Sequence, residues 1–147
     1  MNNIFFSKGN KSVNLKNRSS VKWLINCLFE EEKVALKRID YIFCSDMYLL
    51  KVNRKYLNHN TFTDVITFPL SDKNEPVTGE IYVSIDRVKE NAKIYDVSYQ
   101  NELLRVLIHG ALHLCGYNDT TDFKKQEMHS KENFYLKKFN VSREAVN

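Results

Sequence analysis

The run from Ser98 to about Cys115 is the most apolar helical pattern in the chain, and it carries two histidines, His109 and His113. Leu103, Val106, Leu107, Leu112 and Leu114 mark it as a helix that belongs in the interior. A buried helix denies its imidazoles water, so each needs a partner inside the fold. Four residues apart on a helix, the two side chains differ by about 40° at roughly 100° per residue, and both reach one spot. Gly116 stands three residues past His113, where a glycine ends a helix in the left-handed conformation. The chain then turns back, and Asp119 brings an oxygen to the same spot. Two nitrogens and one carboxylate, with a fourth position left to water, is the composition of a catalytic zinc site. Cys115 stays outside this set: two residues past His113 it points about 200° away, as a small core residue would.

What surrounds this helix is bounded by length. The 147 residues suit one domain, 1–147, large enough to bury most of its apolar surface in a single core. Hydrophobic residues make up 43% against 27% charged, with only 4 Gly and 2 Pro, which excludes disorder and low-complexity linkers as the main character. No stretch is apolar for long enough to be a secretory signal or a membrane span. Cys27, Cys44 and Cys115 are odd in number and scattered, which fits a reducing compartment. The expectation is a soluble, cytoplasmic protein with no membrane partner.

The remaining elements follow from periodicity. Ser19–Phe29 reads as an amphipathic helix capped by serine, with Val21, Leu24, Ile25 and Leu28 on one face. Arg38–Cys44, Asp64–Leu70 and Gly79–Ile85 read as strands, and a further short strand is expected near Ile4–Phe6 or Val13–Leu15. Asp46–Leu57 returns to helical spacing, with Leu49, Leu50, Asn53 and Leu57. Ser84 or Asp86 caps the charged helix after the third strand. A last helix runs from about Asp122 to Phe139, with Phe123, Met128, Phe134 and Leu136 as core candidates. Strands and helices mix without strict alternation, so the fold class is α+β: a single domain with a small mixed β-sheet covered by helices.

Charge is uneven. The first sixty residues carry 11 basic against 5 acidic groups, and Lys8, Lys11, Lys16, Arg18 and Lys22 fall close together. Such a segment serves either as a phosphate-attracting face or as ordinary solvated surface.

The histidine spacing also matches zinc metallopeptidases of the H-E-x-x-H type. Those need a glutamate after the first histidine to take a proton from water. Gly110 occupies that position, which disfavours a small zinc metallopeptidase.

The segment His109-Gly-Ala-Leu-His-Leu-Cys-Gly-Tyr117 resembles the signature of the YbeY family, bacterial endoribonucleases that mature ribosomal RNA. Asn53–Pro69 resembles the family's L-N-x-x-Y-R…T-D-V-L-S-F-P segment, and Gly79–Val83 resembles its G-D-I-x-I strand. The resemblance extends over roughly residues 20–139. It implies a metal-hydrolase-like α+β fold, one divalent metal ion (zinc) held by His109, His113 and Asp119, and action on pre-rRNA of the small ribosomal subunit. Two departures stand out. The family's third ligand is a histidine where this chain has Asp119, a legitimate zinc ligand that makes the metal a weaker Lewis acid. The family's arginine after the tyrosine is Leu57 here, so its phosphate-holding role does not carry over; His59, Arg54 or Lys55 are the nearby candidates for a substitute charge, with a solvated loop position the other reading of His59.

Lesser candidates are Asp64, at a strand start, as a site residue or a turn or cap residue, and Glu80, as an acceptor for a ligand histidine or a solvent-facing carboxylate. His129 reads as surface, and Trp23 as core or edge. The reading with most support is a metal-dependent, single-strand-specific endoribonuclease whose basic first segment tracks the RNA backbone. The alternative is a ribosome-assembly RNA-binding factor in which the metal only staples helices and turn.

Overall fold

Alternation along the strands assigns the two faces of the sheet. In Leu36–Cys44, Ile39, Tyr41 and Phe43 are fully buried on one face, while Cys44 joins a smaller cluster on the other. In Val77–Ser84, Ile81 and Val83 go to the first face and Tyr82 to the second. This is the pattern of strands covered on both sides.

The computed structural model describes the backbone of residues 2–146 and the side chains of residues 2–140; Met1 and Asn147, the ends of the expected domain, lie outside the described residues. The elements in chain order are β1 (Ile4–Lys8), α1 (Arg18–Glu31), β2 (Leu36–Cys44), α2 (Asp46–Leu57), β3 (Val65–Pro69), β4 (Val77–Ser84), α3 (Ile85–Ile94), α4 (Tyr99–Leu114) and α5 (Asp122–Val146). The sheet is four-stranded in the order β1-β2-β4-β3. β1, β2 and β4 run parallel, and β3 runs antiparallel to β4 along one edge. The mixed sheet is therefore as expected, and of the two places considered for an extra strand, the first forms β1.

The larger face carries α1, α4 and α5. Val21, Leu24, Ile25 and Leu28 of α1 are buried there with Leu103, Val106, Leu107 and Leu112 of α4. Tyr41, inside the sheet, donates its hydroxyl to the Leu107 carbonyl at 2.8 Å and pins α4 across β2. Gly110 lets the helix come close. A Cβ there would lie 2.7 Å from Cγ2 of Ile81, a fully buried, β-branched side chain of β4. The other face holds α2, whose Leu49 and Val52 pack with Cys44 and Ile66.

Local signals fared differently at the helix ends. Ser45, Ser84 and Ser98 each accept a bond from the backbone N–H three residues on, which starts α2, α3 and α4. Of the two caps considered for α3, Ser84 takes the role. The expected serine cap of α1 is corrected: the helix begins at Arg18, after Asn17 in the left-handed region, so Ser19 lies inside its first turn. In α5, Met128 and Leu136 are buried, but Phe123 and Phe134 are exposed. The buried stripe of that helix runs through Met128, Glu132, Tyr135, Leu136 and Phe139, and Phe134 falls off it. Trp23 is 46% exposed on α1 and is not core.

Gly110→Ala is expected to destabilise the protein by about 1–3 kcal/mol through overpacking against Ile81. The same change in a free helix interior would stabilise by roughly 1 kcal/mol. Urea denaturation gives the sign, and a stabilised variant would contradict the close approach of α4 to the sheet.

Candidate metal centre

Burial of α4 fixes the directions of His109 and His113. Their Nε2 atoms face each other at 2.9 Å. Each Nδ1 has an acceptor of its own: Glu132 Oε2 at 2.6 Å for His109, and the Tyr117 carbonyl at 3.0 Å for His113. With the Nδ1 protons held outward, both Nε2 lone pairs point into the same space. Two lone pairs at that separation repel unless positive charge sits between them.

Asp119 closes the group. After α4 the chain turns at Gly116, whose φ of 104° suits a glycine, and the Gly116 and Tyr117 N–H groups bond back to the His113 and Leu112 carbonyls. Asp119 Oδ2 then lies 3.6 Å from His109 Nε2 and 4.0 Å from His113 Nε2. One ligand atom from each of the three residues lies within 4.8 Å of the others. Two imidazole nitrogens and a carboxylate oxygen, converging from a buried helix and a half-exposed turn, fit a divalent cation with an open side. Cys115 packs partly buried against the core, away from this group.

Glu132 was not legible as a partner. It is buried on α5, bonds His109 with one oxygen and receives Arg105 Nη1 at 2.9 Å on the other. Of the two readings of Glu80, the acceptor role falls to Glu132 instead: Glu80 lies within β4, opposite Asp40 and Phe68. No local pattern marks position 132, because only the packing of α5 on α4 brings it near. His129, a turn away, is 66% exposed, with Nδ1 3.8 Å from Glu132.

His109, His113 and Asp119 form one wall of a cleft of about 580 Å³ that runs to the edge strand β3. Leu57 and His59 line it, as do Asn53, Asp64 and Thr67. Leu57 is 40% exposed and belongs to the cleft rather than the core. Arg54 and Lys55 are exposed on α2 beside these residues. The basic first segment is elsewhere. Lys8 ends β1, the sheet edge opposite β3 and about 14 Å from it at ordinary strand spacing. Lys11 is paired with Asp86 at 3.3 Å, and Arg18 and Lys22 lie over the Phe6 ring.

The site is rich in carboxylates. Burial works against charge on His109, but the hydrogen bond and charge of Glu132, with Asp64 and Asp119, leave its pKa raised. Burial, then the charge of His109, lowers that of His113. Burial raises Asp64. Burial also lifts Glu102, one helical stretch before His109, to about 7, with Asp64 adding to the effect. Burial opposes ionisation of Glu132, yet His109 and Arg105 hold its carboxyl below the usual range.

The sequence matches the family described as "Endoribonuclease YbeY" over residues 3–140. Proteins of that name from Cytophaga hutchinsonii and Flavobacterium psychrophilum are similar to it. The first is 43% identical over 133 residues, covering 90% of this chain and 93% of the relative; the second is 48% identical over 123 residues, covering 84% and 86%. The solution structure of TM1509 from Thermotoga maritima matches with a TM-score of 0.61 at 30% identity, covering 97% of this chain and 93% of that one.

Purified protein is expected to hold one zinc per chain by elemental analysis, and His113→Ala to lose it. Asp119→His should retain the metal and Asp119→Ala should weaken it. Protons compete for the same Nε2 atoms. Because the pKa of His109 is raised, affinity should fall as pH drops through that raised value, before an ordinary histidine would protonate. Zinc binding that is unchanged in Asp119→Ala would remove Asp119 from the ligand set.

Proposed function

The chain belongs to the YbeY family of endoribonucleases, and on that premise we propose that it cuts unpaired RNA at the cleft beside His109, His113 and Asp119. The observation that carries this reading is the convergence of both Nε2 atoms and Asp119 Oδ2 on one wall of an open cleft. The substrate proposed is precursor ribosomal RNA of the small subunit, met in the cytoplasm. Zinc suits the donor set of two imidazoles and a carboxylate. When bound, such a cation supplies Lewis acidity to water and to a phosphoryl oxygen.

The chain's own groups do the rest. His109 and His113 are held with their Nδ1 atoms turned away from the cleft, so no rotation is needed before they bind. Asp64 and His59 are the cleft side chains able to exchange a proton with a substrate. Unpaired RNA suits the cleft better than a duplex, because a single strand bends into it. Arg54, exposed on α2 next to the cleft-lining Asn53, and Arg87, over the Phe62 ring between the lining residues Thr61 and Thr63, provide positive charge beside it for the phosphates. We infer direct attack by water on phosphorus, which leaves the neighbouring 2′-hydroxyl intact.

A second reading, an RNA-binding assembly factor, rests on Leu57, which puts an uncharged side chain into the cleft where the family has arginine. A peptidase is disfavoured on two counts. Gly110 lacks the required carboxylate, and its Cβ direction points at Ile81 of the sheet rather than into the cleft.

Zinc-loaded protein should cleave an unstructured RNA, lose that activity with a chelator, and still cut a strand with a 2′-deoxy residue at the scission point. Leu57→Arg should speed cleavage, since a cation there would stabilise the developing phosphate charge. Unstructured RNA left intact by both proteins would favour the assembly factor.

A further inference from the structure

Glu32, just past the C-terminus of α1, is 85 residues from Tyr117 in the turn that follows α4, yet its carboxylate anchors that turn through a side chain, beside the backbone bonds of Gly116 and Tyr117 to the His113 and Leu112 carbonyls. Its side chain is only 9% exposed. Oε1 accepts the Tyr117 hydroxyl at 2.6 Å. Oε2 accepts the Tyr135 hydroxyl and, at 3.2 Å, the Lys131 ammonium. A nearly buried carboxylate with three donors is a fixed point, because every route to moving it leaves a charge or a hydroxyl unpaired.

Both arms of the metal centre lead back to this point. On one side, the residue whose hydroxyl Glu32 holds is the residue whose carbonyl receives His113 Nδ1. Asp119 follows two residues later on the same turn. On the other side, Lys131 and Tyr135 belong to α5, and Lys131 is the immediate neighbour of Glu132, which receives His109 Nδ1. We propose that Glu32 is a positioning residue for the metal centre, setting through Tyr117 the turn that orients His113 and presents Asp119, and through Lys131 and Tyr135 the helix that presents Glu132 to His109. The inference rests on reading His109, His113 and Asp119 as metal ligands. It adds a remote carboxylate that touches none of them.

A clamp that only stabilised the fold would alter melting and leave the imidazoles alone. A positioning clamp alters them, because the Tyr117 carbonyl selects the His113 tautomer. The test uses the full-length chain as parent, Tyr117→Phe, Glu32→Gln, the double variant, and Lys138→Gln as a control that breaks the neighbouring 2.8 Å contact to Glu31. Zinc affinity is read by competition with a chromophoric chelator, and ligand geometry by the visible absorption of the cobalt(II) form. The His113 ring nitrogens of the metal-free protein are read by NMR. Tyr117→Phe should weaken zinc binding about tenfold, at the low end of what outer partners of a metal ligand contribute. Glu32→Gln should weaken it at least as much, and the double variant no more than the stronger single one. Both should change the cobalt spectrum and the His113 nitrogen shifts, while Lys138→Gln changes neither.

Affinity and His113 shifts equal to the parent's in Tyr117→Phe would overturn the proposal, whatever happens to the melting temperature. If Glu32→Gln does not fold, Tyr117→Phe decides alone. A parent that binds no zinc would overturn the metal reading. The His113 shifts of the metal-free variants would then still show whether Glu32 and Tyr117 orient that ring.

Discussion

The contact of Gly110 with Ile81 sets how closely α4 lies on the sheet, and the position of both histidines follows from it. A helix with its apolar residues buried on three sides cannot rotate without exposing Leu107 or Leu112, so the imidazole directions are fixed by the core itself. The Tyr41 hydroxyl on the Leu107 carbonyl adds a directional bond to the non-directional packing. Everything else in the site is brought to α4. The turn at Gly116 carries Asp119 back, α5 carries Glu132, and β3 carries Asp64 and Thr67 to the opposite wall of the cleft. The one helix is thus both the centre of the core and the carrier of the two histidines.

This arrangement concentrates negative charge. Asp64, Glu132 and Asp119 act on the two imidazoles, Glu102 lies behind them within reach of Asp64 and Glu132, and Arg105 is the cation bonded to Glu132. Burial resists that many ionised carboxylates, which is why Asp64 and Glu102 hold their protons to higher pH than usual. Positive charge between the Nε2 atoms relieves the conflict from within. A raised His109 pKa and a divalent cation answer the same field, and each displaces the other.

What the sequence made legible was local. The i, i+4 histidines, the glycine after the helix and the carboxylate past the turn all lie within eleven residues, so helix geometry was enough to group them. The helical spacing of α2 and α4 and the β-forming runs of β2 and β4 were legible for the same reason. What failed was non-local. Glu132 and Glu32 lie 23 residues after His109 and 85 before Tyr117, and only the docking of α5 and α1 against α4 brings them in. The basic first segment left two readings open, a phosphate-attracting face or solvated surface, because charge can be counted along a chain but not placed from it. Its distance from the cleft depends on strand order, with β2 and β4 between β1 and β3. Phe123 and Phe134 misled because hydrophobicity alone does not say which stripe of a helix meets its neighbour.

The two departures from the family pattern act in one direction. Aspartate for histidine at position 119 adds a negative charge to the ligand set, and leucine for arginine at position 57 removes a positive one from the cleft. Relative to that pattern the cleft is more negative by two charges, both on residues that line it. An RNA phosphate entering it therefore meets more repulsion, and less of the attraction can come from the wall of the cleft. Cations close to it include Arg87, already paired with Asp46, and Arg54 on α2, exposed to water, where screening shortens its reach to about 8 Å at physiological salt. Attraction at the rim helps a flexible strand to arrive. It does little for charge that develops at a phosphorus inside, where only groups already in place contribute fully. The sequence changes thus shift electrostatic help away from the reacting bond and towards capture. A chain built this way depends all the more on ligands that are already oriented, and the bonds from Glu132 and Tyr117 to the two Nδ1 atoms provide that orientation.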